Sequence, residues 1–537
     1  MHEHRSFIPT RSTAAAALLV TLLTACESGS VPNTDEEVDP DVYIEDGRRF
    51  FREGTFGTED YWTEAVELPQ GLFEAGFTVL DALSIGLQVD AAVVDPLLVD
   101  ELVAELGTDL SAASAPHLND PGLFQGLLSD NAFVGLVADD WNDDGIVTPS
   151  AGETLGLSCA LCHSLVDGSG FDGTAIGSPV LGSIGLRVDG PGAVDLDHGA
   201  LLAVARNSRA LYPYLPLSLA TVGGTPIART DAFAAATASE MDVDDLLLDL
   251  GAFPIGHADV SPEGVGAPVT IPPVFQVRPV APYGVAGEFT MLVDYINFHV
   301  LTGMDGTNVI DEAGAEFLDD IAPGIGVQIT NETTEVFTDT AVLAPPSEYP
   351  YADAPLVSEM GTEEFPYGRR IDEYALRTMA LYLQQLRAPA PPVGDATLID
   401  RGADVYWAAC ATCHGDPRDS FPLPTVPIDF LWLNYSPTTL LVRGFPYTNL
   451  LDDVLTTYDD RLVVYDQIFD PAQIPSLPRE LATPRLVGLH LRRELLHDGS
   501  VPDLDALLDP ARGPAAAHAF YVAPGDAEAL IEFLTRR

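Results

Sequence analysis

Four of the chain's five cysteines fall in two copies of one pentapeptide. Cys159-Ala-Leu-Cys162-His163 and Cys410-Ala-Thr-Cys413-His414 both read C-x-x-C-H. One turn of chain brings two thiols within reach of the two vinyl groups of a haem. The adjacent imidazole can then ligate the iron from below the ring. The same spacing occurs in dithiol redox sites and in half-sites for zinc. Zinc needs a second ligand pair, and none stands at zinc-finger spacing from either motif. A dithiol redox site has no need of a histidine that follows at once in both copies. The residues therefore predict two covalently bound haem c groups, with His163 and His414 as proximal ligands of the haem iron.

The fifth cysteine, Cys26, closes a different signal. Arg5 and Arg11 precede an apolar run over residues 14–23, which ends in Leu23-Thr24-Ala25-Cys26. The run is too short to cross a bilayer, for which about 20 residues are needed. It resembles a bacterial lipoprotein signal, which implies cleavage before Cys26 and a lipid on that residue. Residues 1–26 are then a signal peptide, and residues 27–41, rich in Ser, Pro, Asp and Glu, an acidic tether. An ordinary secretory signal with an incidental cysteine is the other reading. Both export the protein. The first anchors it at the cell envelope, on a periplasmic or outer-membrane face, by its acyl chains.

Asp and Glu total 81 against 25 Lys plus Arg, a formal net charge of −56, and all 25 cations are arginine. Such a surface excludes nucleic acid as a partner, because phosphate binding needs clustered positive charge. It does not imply disorder: 47% of residues are hydrophobic and only 20% charged, enough to bury a core. The charge reads either as plain surface solvation or as a docking face for a basic redox partner. Arg187 or another arginine is available to pair with a haem propionate.

The elements that must hold the motifs are partly visible. Before the second motif, Gly402 and Tyr406 stand four apart on one helix face. Near the end, Gly525-Asp526 reads as a helix start, with Ala529, Leu530, Phe533 and Leu534 at helical spacing. The pair resembles the class I cytochrome c fold, in which a first helix bearing Gly-x-x-x-aromatic crosses a last helix. Before the first domain closes, residues 371–386 show a 3-4 apolar period at Leu376, Met379, Ala380 and Leu383. A proline-rich linker follows. More than 200 residues separate His163 from that helix, far more than a cytochrome c needs. The expected fold is mainly α: two class I cytochrome c-like haem domains, 42–390 and 391–537, the first with large loop-rich insertions. Residues 42–150 read as a helical layer around the first haem, and no repeat is visible beyond the two haem units.

With both motifs and the stretch Thr483-Pro-Arg-Leu through His497-Asp-Gly-Ser, the chain resembles the bacterial di-haem cytochrome c peroxidase superfamily. That group includes the methylamine-dehydrogenase maturation enzyme and the rubber oxygenases. The resemblance implies two facing haem domains. One haem transfers electrons and the other is open to a small oxidant, peroxide or oxygen, acting alone or on an organic substrate. A plain di-haem electron carrier is the alternative, and a haem-bearing scaffold lipoprotein a third class. No methionine follows the second motif, unlike the peroxidases, so its axial candidates are His490, His497 and His518. Rubber oxygenases use a late C-terminal histidine, which favours His518, with His497 next and His490 as a packed or surface residue. At the first haem, His198, His257, His299 and Met304 are the possible distal groups, or each is structural.

One further pattern suits a metal. Asp140-Trp-Asn142-Asp-Asp144-Gly145 matches the start of an EF-hand-like loop, with oxygens from Asp140, Asn142 and Asp144 for calcium and a glycine turn. The closing position holds Ala151 instead of Glu, and Glu153 is the candidate substitute. An Asp/Asn-rich turn without metal is the other reading.

Overall fold

The computed structural model describes residues 40–142, 144–211, 239–250, 253–258, 269–277, 292–304, 371–414, 447–448, 481–482, 486–496, 499, 501–512 and 522–536. Cys26 and its signal, the tether up to residue 39, His497 and His518 lie outside the described residues.

Helix α1 (Pro40–Glu53) opens two residues inside the predicted tether, with Asp41 in its first turn and Arg52 in its last. These charges oppose the helix dipole at both ends. Short helices follow at Leu68–Glu74, Val79–Ser84, Pro96–Leu106 and Pro121–Ser129. Strands β1 (Val89–Asp90), β2 (Leu136–Asp139) and β3 (Thr154–Leu157) lie among and after them. The first cysteine motif is helix α2 (Ala160–His163), leading directly into β4 (Ser164–Val166). Then come β5 (Ile184–Gly185), β6 (Arg187–Asp189) and helices α3 (His198–Ala203), α4 (Leu292–Gly303) and α5 (Glu373–Gln385). The C-terminal part carries α6 (Ala396–Ala409), the second motif as α7 (Ala411–His414), and α8 (Pro524–Thr535).

Among the described residues the architecture is mainly α, and strands pair only in twos. β1 runs parallel to β5, while β2 with β3 and β4 with β6 are antiparallel. Part of the acid surplus caps these helices. Asp95, Asp120, Asp197, Asp372, Asp395 and Asp503 each accept a backbone N–H in the first turn. Helix α8 departs slightly from expectation. Pro524 begins it, so Gly525-Asp526 lies in its first turn rather than ahead of it. Proline fits there because that N–H would have no helical partner.

Two helix crossings repeat one design. Where α1 crosses α5, a Cβ on Gly47 would stand 2.0 Å from the Thr378 carbonyl oxygen and 3.0 Å from Tyr382 Cβ. Where α6 crosses α8, a Cβ on Gly402 would stand 2.0 Å from the Ala529 oxygen and 2.6 Å from Phe533 Cβ. One turn on, Phe51 meets Tyr382 with ring centroids 5.6 Å apart, and Tyr406 meets Phe533 at 5.4 Å. Glycine, aromatic, facing carbonyl and facing aromatic correspond in both crossings. The sequence reading found this pattern at Gly402 and not at Gly47.

The apolar residues gather into three clusters. One lies in the N-terminal helices and hairpins, and one joins α1, α4 and α5 around Phe51, Ile296, Leu376 and Met379. The third draws only on residues from Ile399 onward, around Tyr406, Leu530 and Phe533. Asp189 ties the second cluster to the first motif. Its buried carboxylate takes the Arg52 guanidinium of α1 at 2.6 Å, the Tyr382 hydroxyl of α5 at 2.5 Å and the Ser164 hydroxyl at 2.8 Å. Ser164 directly follows His163, so one carboxylate fixes the helix crossing against the histidine. Burial, then the Asp189 charge, hold the Tyr382 phenol far above its usual range.

Candidate functional site

The first motif is held by its backbone. Gly135, at φ +84°, lets the chain lie against Leu161, whose nitrogen would be 2.1 Å from any Cβ there. Ser158 donates its hydroxyl to the Arg52 carbonyl of α1 at 2.8 Å. The carbonyls of α2, too short to satisfy them internally, accept from the loop after β6: Gly190 N–H reaches His163 O and Ala193 N–H reaches Cys162 O, both at 2.8 Å.

The side chains then converge. His163 Nδ1 lies 3.1 Å from the Pro272 carbonyl. A carbonyl can only accept, so this bond puts the proton on Nδ1 and the lone pair on Nε2, the tautomer and orientation a metal-ligating histidine needs. Cys159, Cys162 and His163 keep part of their surface open. Enough protein surrounds them, nonetheless, that burial pushes both thiols up to about 12 and His163 down to about 4. The two thiols stand where the first and second apolar clusters meet, Cys162 packed on one and Cys159 on the other.

Three other sequence candidates approach the motif. His299, on α4, bonds through Nδ1 to the Tyr295 carbonyl one turn back at 2.9 Å, and Tyr295 packs edge-on at 4.3 Å. Tyr295, Met304 and Cys159 belong to the same apolar cluster, and His299 is near enough to His163 for their charges to interact. Burial lowers the His299 pKa, keeping the ring neutral. His198 places Nε2 3.5 Å from Cys162 Sγ, and burial takes it down to about 4. Met304 turns its backbone carbonyl to the Trp62 indole at 2.9 Å. His257 turns elsewhere: Nδ1 meets the Ile255 carbonyl at 2.9 Å and Nε2 faces Glu494 at 3.5 Å, at the joint with the C-terminal segment. Arg187 places Nε 3.1 Å from Asp90 Oδ2.

At the second motif α6 runs straight into Cys410, whose N–H bonds to Tyr406 O at 2.8 Å, and His414 N–H closes the turn on Cys410 O at 3.0 Å. Cys410 packs in the third cluster. Both ring nitrogens of His490 are buried without hydrogen-bond partners, beside Arg536, which packs on Gly394 ahead of α6. The neighbour of His490, Leu489, packs in the same cluster as Cys410.

The acidic loop joins β2 to β3 as a hairpin, not as the helix–loop–helix of an EF-hand. Gly145 sits at φ +79°, as the loop pattern requires. Asp140, Asp144 and Glu153 bring carboxylate oxygens within 4.8 Å of one another, and Glu153 is fully buried. Asn142 donates its amide to Glu153, and Gly145 N–H reaches Asp140 at 2.9 Å. The hairpin, rather than loop length, brings Glu153 into the group that Asp140, Asn142 and Asp144 begin. Hard oxygen donors of this kind could hold calcium.

Asp189, Pro272 and Gly135 escaped the sequence reading. Two act through long-range contacts and one through its backbone carbonyl, and none has a local signature. Comparison with protein-family models, with curated proteins and with solved structures finds no match to this chain.

Proposed function

We propose that the chain is an exported di-haem c-type cytochrome that passes electrons between two covalently held haems and a partner protein. The duplication carries this reading. Each C-x-x-C-H motif belongs with a helix pair crossed at a glycine, Gly47 on Thr378 and Tyr382, Gly402 on Ala529 and Phe533. This supports two class I cytochrome c-like domains, 42–390 and 391–537.

The donor set fits a haem at the first motif. Two thiols leave one helical turn, and the Pro272 carbonyl directs His163 Nε2 away from itself. His299, its Nδ1 engaged by the Tyr295 carbonyl, would help to hold that haem from α4. Cys410, Cys413 and His414 would hold the other haem, with His518 or His497 as its sixth ligand. Bound there, the irons supply one-electron chemistry. The chain would position the ligands, and histidines in place of methionine would keep the potentials low. A second imidazole near the first motif would favour a carrier over peroxide or oxygen chemistry. Acylation of Cys26 would anchor the protein at the cell envelope. The acidic surface suits a basic redox partner, whose association weakens as salt rises.

Intact mass of the exported protein tests the attachment. Two haems should be present. The Cys159→Ala/Cys162→Ala and Cys410→Ala/Cys413→Ala variants should each lose one, and a wild-type mass without haem rejects the reading. EPR of the oxidised protein tests the role. Two low-spin signals indifferent to cyanide and peroxide fit a carrier, while a high-spin signal that shifts with peroxide returns the peroxidase reading.

We also assign calcium to the β2–β3 hairpin, through Asp140, Asn142, Asp144 and Glu153. Calcium at 100 times its Kd should stabilise the protein by about 2.7 kcal/mol, read as a rise in Tm. Glu153→Gln should abolish that rise. An equal rise in the variant, or none in wild type, rejects the site.

A further inference from the structure

Arg492 stands out in a chain with more than three carboxylates for every cation. Several described arginines have acids beside them: Arg52 has Asp189, Arg187 has Asp90, Arg377 has Glu373 and the more exposed Arg493 has Asp195. The Arg492 side chain has no hydrogen bond and no carboxylate within ion-pair distance among the described residues, while its backbone N–H bonds to Leu489 O at 3.1 Å. Burial alone acts on it, lowering its pKa with no neighbouring charge to restore it. Arg492 is half-buried, and although Asp195 and Glu494 line the same cleft neither pairs with it, so its charge is open to an outside anion.

Arg492 lines a cleft of about 270 Å³ between the C-terminal segment and the N-terminal part, walled by Pro191, Gly192, Ile271 and Pro273. The size suits a small molecule rather than a peptide. Asp195 lines it too. Arg493 holds one of its oxygens at 2.5 Å, and the other, Oδ2, is buried with no hydrogen-bond partner. The cleft thus offers one unmatched cation and one unmatched acceptor. Two further anchors fix its walls: Glu494 faces His257 at 3.5 Å, and Thr270 donates its hydroxyl to Leu496 O at 3.3 Å.

We propose that this cleft binds a small carboxylate carrying a hydroxyl or amino group, its carboxylate on Arg492 and its donor on Asp195 Oδ2. A bidentate guanidinium–carboxylate pair would supply the orientation. Pro273 adjoins the residue whose carbonyl holds His163, and Gly192 adjoins Ala193, which holds Cys162 O. The site therefore backs onto the first motif. A carboxylate could also come from within, as a propionate of a haem carried by this chain, and the experiment separates the two sources.

The test uses calorimetric titration of the purified exported protein with lactate, and with propionate, which lacks the hydroxyl. Lactate should bind with one site per chain and propionate about tenfold more weakly, because Asp195 Oδ2 then stays unpaired. Arg492→Gln should weaken lactate binding by about tenfold or more, with an unchanged Tm showing that the fold is kept. If neither acid binds, but Arg492→Gln lowers a haem midpoint potential, the carboxylate is the protein's own propionate. The proposal is overturned if neither acid binds and no potential moves, or if lactate binds Arg492→Gln as well as wild type.

Discussion

Replacing His299 with alanine should convert the first haem from low spin to high spin and open it to cyanide and peroxide. The expectation follows from how α4 holds this ring. Tyr295, one turn earlier, accepts the Nδ1 proton and packs its own ring at 4.3 Å, so both rotation and tautomer are set before any ligand arrives. The same device acts on His163 through Pro272, from a different element. Two neutral imidazoles, each with Nδ1 bonded to a backbone carbonyl, would then hold the proposed haem together. Alanine removes one nitrogen and leaves His163, so the haem stays attached and its mass is unchanged. His198→Ala is the control. That ring lies against Cys162 Sγ at 3.5 Å, and its loss should leave the spin state alone. An unchanged low-spin spectrum in His299→Ala would reject the assignment, and a change in His198→Ala alone would transfer it.

The contrast between these residues explains what the sequence could announce. The two pentapeptides are legible because thioether attachment needs its three residues within one turn. Gly402 and Tyr406 are legible because they stand just ahead of Cys410. Their counterparts Gly47 and Phe51 carry the same spacing, but more than 100 residues separate them from Cys159. Nothing local says that α1, and not a nearer segment, crosses α5. Asp189 is one of 81 acids, and only its three simultaneous donors distinguish it. Pro272 acts through a carbonyl that every residue possesses. Of the four distal candidates, His257 lies at the joint with the C-terminal segment, while His198 lies against a motif sulfur and His299 and Met304 lie near Cys159. Chemistry that needs neighbours in sequence is written locally, whereas chemistry assembled across insertions is written in packing.

The acid surplus divides the same way. Some of it is structural: aspartates cap helix after helix, and Asp189 and Asp195 are buried against arginine. Among the described residues the buried acids are Asp90, Glu105, Glu153, Asp189 and Asp195, and the other described acids reach the surface, where charge sets partner preference and salt response rather than fold. The absence of lysine has no structural explanation. Arg52, on Asp189, and Arg187, on Asp90, show only how the arginines present are used.

The largest stability effects are expected at the two crossing glycines. Gly47→Ala or Gly402→Ala would force a methyl to within 2.0 Å of a carbonyl oxygen on the facing helix. That atom is backbone and cannot swing aside, so the helices must part by more than an ångström. Parting them also loosens the aromatic pair one turn away, Phe51 on Tyr382 or Tyr406 on Phe533. Overpacking costs about 1–3 kcal/mol and sometimes more, and each aromatic pair contributes about 0.5–1.5 kcal/mol beyond its buried area. A loss of about 3 kcal/mol or more is therefore expected, against the gain of about 0.5–1 kcal/mol that alanine normally brings to a helix. Gly126 provides the opposite case, since it lies within Pro121–Ser129 and nothing stands within 4 Å of its would-be Cβ. Gly126→Ala should stabilise by that smaller amount. Denaturant midpoints of the three variants decide the matter. If Gly47→Ala or Gly402→Ala behaves like Gly126→Ala, the helices do not cross at those glycines. If both crossing variants collapse while Gly126→Ala gains, the duplicated frame is what holds each motif in place.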